Sequence, residues 1–345
     1  MAVHIGIGLF TGQVPPDSGR TFAQEYREVL DLVRLAETLG FDSAWVSEHH
    51  GGGDGYLPSL LPMLAAFAAA TERMKLGTGV LLTPFHDPLR LAEDAAVVDQ
   101  LSNGRLILGL GLGWREEEFR MWGQQPSERL RRTVETVEVL RKAWTGKRFS
   151  FQGKHYRYDD VLITPPPARE GGVPIWLGGF AEGAVRRAGR IGDGYIRSRG
   201  GGIEEMRHSL SVAEEGAAQA GKHPSAMPFA QLQSAFPWED GDALEVVRVG
   251  AGHHLGIYAA WAEGSDTPGK GFWVTPPSDD MLRQTVAMGT PQEVAHRLRP
   301  VVDAFGDRGE FHLIVRLHYP GMDLDTASRA VELFGEKVIP ALKGG

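Results

Sequence analysis

Short apolar runs alternate with amphipathic stretches along the chain. Residues 3–10 (VHIGIGLF) are apolar at nearly every position and predict a strand. Residues 21–39 place Tyr26, Val29, Leu30, Val33 and Leu35 at helical spacing and stop at Gly40. A second strand, 42–46, ends in Ser47-Glu48-His49-His50. A glycine-rich loop (51–55), an alanine-rich helix (58–70) and a third strand (74–82) follow. Pro88 suits the first turn of a helix predicted over 88–101, and Ser102-Asn103-Gly104 turns that helix into strand four, 105–111.

A helix over 126–144 leads to 149–167, where a Phe/Tyr alternation and a triple proline predict an excursion from the repeating plan. Strand five (174–177), a helix (181–190), strand six (193–196), a helix from the glycine triplet at 200–202 to 219, and strand seven (227–235) continue the alternation. Between 238 and 280 a helix is predicted over 243–262, then an insertion with Phe272 and Trp273. Thr290, Pro291 and Glu293 form a capping box; strand eight (311–317) and a closing helix (324–342) end the plan. Eight strands alternating with helices predict a single-domain (β/α)8 TIM barrel over 1–345, with insertions near 146–170 and 263–285. A doubly wound sheet is the competing arrangement. In a barrel, the chemistry belongs at the carboxyl ends of the strands.

Composition narrows the function classes. A chain of 345 residues, 42% hydrophobic, can bury a large core, and a formal charge of -8 without basic runs points away from nucleic acid and anionic membranes. A small organic molecule becomes the expected partner. The absence of cysteine excludes disulfides, thiolate metal sites and a cysteine nucleophile. The first residues enter an apolar alternation without a basic leader, and no run approaches a bilayer span, so a cytoplasmic location is expected.

Glu48, His49 and His50 stand at the tip of strand two. Adjacent residues on a strand face opposite ways, so one imidazole at most should face the barrel mouth, where it could act as acid or base near neutral pH. The plain alternative is that these histidines cap the strand. Metal ligands on a strand are expected two residues apart, and these are consecutive, which disfavours the metal-dependent hydrolase reading. Gly109-Leu110-Gly111-Leu112-Gly113 lacks the third glycine of a dinucleotide fingerprint, that position being Trp114. Bare backbone at a strand tip still allows close approach of a planar ring, or simply relieves crowding. Gly178-Gly179-Phe180 opens a helix whose first N–H groups suit a phosphate, with Arg197 and Arg199 at the next strand tip as possible counter-charges.

Together, EHH (48–50), LGTGVLLTPFHDP (76–88), DQLSNGR (99–105), GLGLGWREEEF (109–119), PIWLGG (174–179) and GTPQEV (289–294) resemble the bacterial luciferase-like flavin-dependent monooxygenase family. The resemblance implies a barrel that binds reduced FMN, which reacts with O2 to oxidise an organic substrate, the reduced flavin coming from a separate reductase. It implies His49 as the proton-transfer group beside His50 and Glu48. It also implies a non-proline cis peptide at Gly79-Val80 under the ring, with Gly111, Leu112 and Gly113 completing the seat. The phosphate falls on Leu177, Gly178, Gly179, Phe180 and Ala181, with Ser198 nearby. The family's strand-four arginine is replaced by Leu112, so Arg115 or Arg199 is expected to supply the cation. Tyr56, Phe85, Trp238, Phe272 and Trp273 are candidate substrate walls or, equally, packing residues, and relatives pairing through helices two and three imply a homodimer. Alternatives are a deazaflavin (coenzyme F420)-dependent oxidoreductase and a non-catalytic flavin-binding protein. FMN is preferred because the deazaflavin group resembles Asp-His, not Glu-His-His, at strand two.

Overall fold

A computed structural model describes residues 3–197, 201–263 and 277–344. Its strands are β1 (Val3–Phe10), β2 (Ser43–Val46), β3 (Lys75–Thr78), β4 (Leu81–Leu82), β5 (Leu106–Gly111), β6 (Phe149–Gln152), β7 (Arg157–Val161), β8 (Ile175–Gly178), β9 (Gly194–Arg197), β10 (Phe229–Pro237), β11 (Val286–Gly289) and β12 (Phe311–Arg316). The parallel order β1-β2-β3-β5-β8-β9-β10-β12 closes on itself, because β10 pairs with β9 and β12, and β12 pairs with β1. This is the expected eight-stranded barrel in a single domain.

The helices are α1 (Phe22–Thr38), α2 (Leu60–Ala70), α3 (Pro88–Leu101), α4 (Glu116–Met121), α5 (Arg129–Ala143), α6 (Glu182–Ile191), α7 (Ile203–Gln219), α8 (Ala243–Ala262), α9 (Asp279–Thr285), α10 (Pro291–Phe305), α11 (Leu324–Leu333) and α12 (Ile339–Lys343). Their starts follow local chemistry. Thr21 with Gln24, and Thr290 with Glu293, close reciprocal capping boxes at α1 and α10, and Asp87 accepts from Leu89 N and Arg90 N ahead of Pro88. None of these helices is long and apolar enough to cross a membrane.

Strand alternation sorts side chains into two cores. On β12, Phe311, Leu313 and Val315 pack outward beneath the helices, whereas His312 and Ile314 point into the barrel against Trp45 and Trp176. The two indoles lie 5.7 Å apart and fill the interior. Glycines make room for them: a Cβ on Gly77 would collide with the Trp45 ring, and one on Gly194 would lie 2.7 Å from Trp176 Cδ1. The Trp45 indole N–H donates to Ser43 Oγ at 2.8 Å, so its burial leaves no polar atom bare. Losing that ring would cost about 3–5 kcal/mol.

Several elements differ from expectation. Strand three is split at Gly79-Val80, a cis peptide, into β3 and β4, which both pair with β5. Residues 149–161 form an antiparallel hairpin, β6 and β7, whose aromatic alternation packs Phe151 and Tyr156 against Val139 of α5. β11 was not anticipated; it runs beside the carboxyl end of β10, from Ser234↔Val286 to Pro237↔Gly289. The closing helix is interrupted by a π turn at Phe334–Val338. Between β10 and β11, α8 reaches the tips of the barrel. Its His253 Nε2 lies 2.9 Å from Asp54 Oδ2, and its Tyr258 hydroxyl 3.0 Å from that of Tyr56.

Candidate active site

The loop after β2 carries Glu48, His49 and His50 into a buried position, each of them 5% exposed or less. They part at once. Glu48 accepts from Leu82 N at 2.7 Å and lies 2.6 Å from His50 Nε2 and 3.0 Å from His86 Nε2, tying the β2 tip to the β4 segment. Burial alone would raise its pKa, but the charge of His86 and the hydrogen bonds from His50 and His86 outweigh that and bring it to about 2. His50, edge-on to Phe85 and Trp122, belongs to the same strut. Glu48 and His50 are therefore positioned as framework.

His49 is placed differently. Its Nδ1 lies 2.8 Å from Glu118 Oε1 on α4, an oxygen that also accepts from His50 N at 2.9 Å. With Nδ1–H donating to the carboxylate, Nε2 carries the lone pair, and Nε2 has no partner among the described residues. The ring stands among Tyr56 (4.8 Å between centroids), Trp261 (4.9 Å), Tyr258 (5.4 Å) and Trp114 (6.2 Å). An oriented, buried imidazole set among aromatic rings has the chemistry of a general acid or base.

The chamber's rim is polar but subdued. Burial pushes the Tyr56 and Tyr258 phenols up, Tyr258 well above its ordinary value, and His254 well below its own. Asp54 sits below the usual range because hydrogen bonds from His253 and from Gln13 overcome the effect of burial. Neutral tyrosines and a neutral imidazole therefore line the chamber.

The residues expected to seat a cofactor lie as follows. Val80 stands between two glycines: a Cβ on Gly111 would collide with its Cγ2, and one on Gly178 would lie 3.0 Å from its Cγ1. Beyond them, α6 begins after Ala181, an N-cap residue that offers no side-chain cap, in a turn where Gly179 is half-buried and Phe180 exposed. An apolar surface made by Val80 between two glycines, beside an uncapped helix start, fits a planar ring with a phosphate-bearing tail. Leu177 packs its side chain into the outer core, so only its backbone is near the turn. Gly113 takes a left-handed φ of 70° and accepts from Arg129 Nη1, while Leu112 is half-buried beside it.

Other expectations fail on geometry. Arg115 cannot serve the phosphate turn: it donates to His50 O at 2.8 Å, pairs with Glu118 and lies 3.8 Å over the Trp261 ring. Arg197 faces outward to Gln231 and Glu205. Trp238 stacks on Phe236 away from His49, and Phe85 packs with Leu82 and Phe119. Ser198, Arg199, Phe272 and Trp273 lie outside the described residues. Sequence reading missed Glu118, Tyr258 and Trp261. Among Glu116, Glu117 and Glu118, only spacing with buried Phe119 marks the last as inward. At the β2 tip Glu48 Oε1 is taken up by the His50 and His86 imidazoles. Among the described residues, the group able to gather on an ion is His4, Glu310 and His312, at the opposite end of the barrel, where Lys75 Nζ already holds Glu310 at 2.6 Å.

The luciferase-like monooxygenase family model matches residues 4–308. The F420-dependent glucose-6-phosphate dehydrogenase of Nocardia farcinica is 33% identical over 340 residues, covering 92% of this chain and 94% of that protein. Among solved structures, monooxygenase RslO1 from Streptomyces bottropensis has a TM-score of 0.81 at 27% identity, over 99% of each chain. An F420-dependent secondary alcohol dehydrogenase, solved with an F420-acetone adduct, shares the fold at a TM-score of 0.77 and 22% identity, over 99% of each chain. The dehydrogenase relatives overturn the expectation of an FMN- and O2-using monooxygenase, and the O2 and reductase partners that followed from FMN fall with it. The preference for FMN rested on Glu in place of Asp at residue 48, and that carboxylate is committed to the Leu82, His50 and His86 strut. The chain belongs to the luciferase-like monooxygenase family, and curated proteins similar to it include F420-dependent glucose-6-phosphate dehydrogenases.

Proposed function

We propose that this chain is a coenzyme F420-dependent dehydrogenase that oxidises an alcohol carbon. The observation that carries the reading is the His49 imidazole, held at Nδ1 by Glu118 with Nε2 turned to the aromatic chamber. Val80, Gly111 and Gly178 would seat the deazaflavin ring, and the start of α6 would take its phosphate. When bound, that group supplies the hydride acceptor. His49 Nε2 would take the hydroxyl proton of an alcohol whose hydride that group would accept, and Glu118 would hold the resulting imidazolium. Tyr56, Tyr258, Trp114 and Trp261 orient the carbon skeleton and keep water from the reacting atoms. The dehydrogenase relatives named above support glucose 6-phosphate as the first substrate to try. We also propose that two copies pair across α2 and α3, where Val97 and Leu101 are 45% and 57% exposed.

The test is titration of the protein with F420 and with FMN, followed by mixing with oxidised F420 and a panel of sugar phosphates and secondary alcohols. Saturable F420 binding and bleaching of F420 by one of the alcohols is the expected result. Preference for FMN with oxygen uptake would overturn the reading.

A further inference from the structure

Arg316 ends β12 on its inward face. His312 and Ile314, at alternate positions before it, line the barrel interior with Trp45 and Trp176, so the next inward position opens at the carboxyl-end mouth. The side chain is 2% exposed, and its Nη1 is buried with no hydrogen-bond partner. No carboxylate pairs with it among the described residues. The two other arginines buried as deeply are paired, Arg115 with Glu118 and Arg197 with Glu205.

A guanidinium taken out of water without a counter-charge is costly, and such groups persist where a ligand completes them. The surroundings make the missing partner an anion. Arg316 acts electrostatically on Tyr56, Tyr258 and His254, residues around His49, and burial keeps all three from supplying negative or positive charge near neutral pH. A guanidinium also offers a planar fork of donors suited to carboxylate or phosphate.

We propose that Arg316 anchors an anionic group of the substrate, so that the alcohol presented to His49 is a phosphorylated or carboxylated hydroxy compound. This rests on the dehydrogenase reading of the site. Arg316 lies on β12 and the uncapped start of α6 follows β8, with β9 and β10 between them in the barrel order, so the anchor is separate from the expected cofactor phosphate turn. The anion fixes one end of the substrate while His49 meets the other.

The experiment measures binding of inorganic phosphate and of acetate to wild type, Arg316→Gln and Arg316→Lys by calorimetry, with F420 affinity and Tm recorded for each. Wild type should bind at least one anion. Arg316→Gln should weaken it about ten-fold or more and Arg316→Lys less, with F420 affinity unchanged. The Tm of Arg316→Gln should hold or rise, because an unpaired buried charge is removed, whereas an arginine needed only for structure would lower it. With an alcohol that is turned over, KM should rise while kcat holds. Unchanged anion affinity in Arg316→Gln, or no anion binding by wild type, would overturn the proposal. A loss of F420 affinity in place of anion affinity would assign Arg316 to the cofactor and overturn it equally. Should wild type bind anions through Arg316 yet fail to bind F420, the dehydrogenase reading falls and the anion site stands. If Arg316→Gln fails to fold, Arg316→Met provides the same comparison.

Discussion

His49 Nδ1 and Glu118 Oε1, 69 residues apart in the chain, meet at 2.8 Å and fix which imidazole nitrogen faces the chamber. His49→Ala should lower kcat by about 10²–10⁴-fold while F420 affinity stays unchanged, as expected for a group acting on the proton. Glu118→Gln should give an intermediate loss with little change in KM, because the ring remains but its tautomer is no longer fixed. Steady-state alcohol oxidation with parallel F420 titration checks both. Full turnover by His49→Ala would remove it from the mechanism.

Glu48 makes stability depend on pH at the acid end. Its carboxyl lies near 2 in the folded chain against an ordinary 4.5, so the unfolded chain binds the proton more readily between those values. Its contribution is whole above about pH 4.5 and is lost as pH falls toward 2. Glu48→Gln should cost roughly 2–3 kcal/mol at pH 7, and the difference from wild type should shrink toward pH 2. Urea unfolding across that range measures it; a gap independent of pH would show that Glu48 is not held by its charge.

Glu25 carries the opposite sign. Burial lifts its carboxyl to about 7 despite Arg20 at 3.3 Å, and its Oε1 has no hydrogen-bond partner. The folded chain holds the proton more tightly between 4.5 and 7, so this group's contribution to stability falls as pH rises through that window. Glu25→Gln should match wild type near pH 4 and exceed it by roughly 1–3 kcal/mol above pH 8. Lower stability of the variant at pH 8 would mean that the Arg20 pairing dominates.

Pairing of two copies across α2 and α3 predicts that Leu101→Glu, which puts a charge on an exposed apolar position of α3, shifts sedimentation from dimer to monomer with the fold intact. A wild-type chain that sediments as a monomer would exclude it.

The barrel was legible because its strands, buried on both faces, leave apolar runs such as LILGLG, and because caps such as Thr290 with Glu293 act within one turn. The site was legible only where it is local. His49 could be picked from its strand tip, but its partner, one of three consecutive glutamates, and its walls from α8 come together only through the closed sheet. Arg316 did leave a trace: a charge in the run FHLIVRL at alternate spacing from His312 belongs inside the barrel. The cofactor was misjudged because residue 48 is one step from His49 in sequence yet bonds away from the chamber. β11 was missed because its four residues are defined by pairing with β10, not by their own pattern.

The proposed bed for the cofactor makes the most selective prediction. Val80 is flanked by Gly111 on one side and Gly178 on the other, and a methyl group at residue 111 would collide with the Val80 side chain, whereas one at 178 would stand 3.0 Å from it. Gly111→Ala must therefore shift Val80 or the strand tip beneath it, while Gly178→Ala asks for a displacement of a few tenths of an ångström. If the two glycines seat the ring, F420 affinity should fall about ten-fold or more in Gly111→Ala and less in Gly178→Ala. Overpacking also costs stability, about 1–3 kcal/mol, so far-ultraviolet circular dichroism and Tm must accompany the titration. The informative outcome is a folded Gly111→Ala protein with weakened F420 binding and unchanged phosphate binding at Arg316. A folded variant that binds F420 as tightly as wild type would place the ring elsewhere in the mouth.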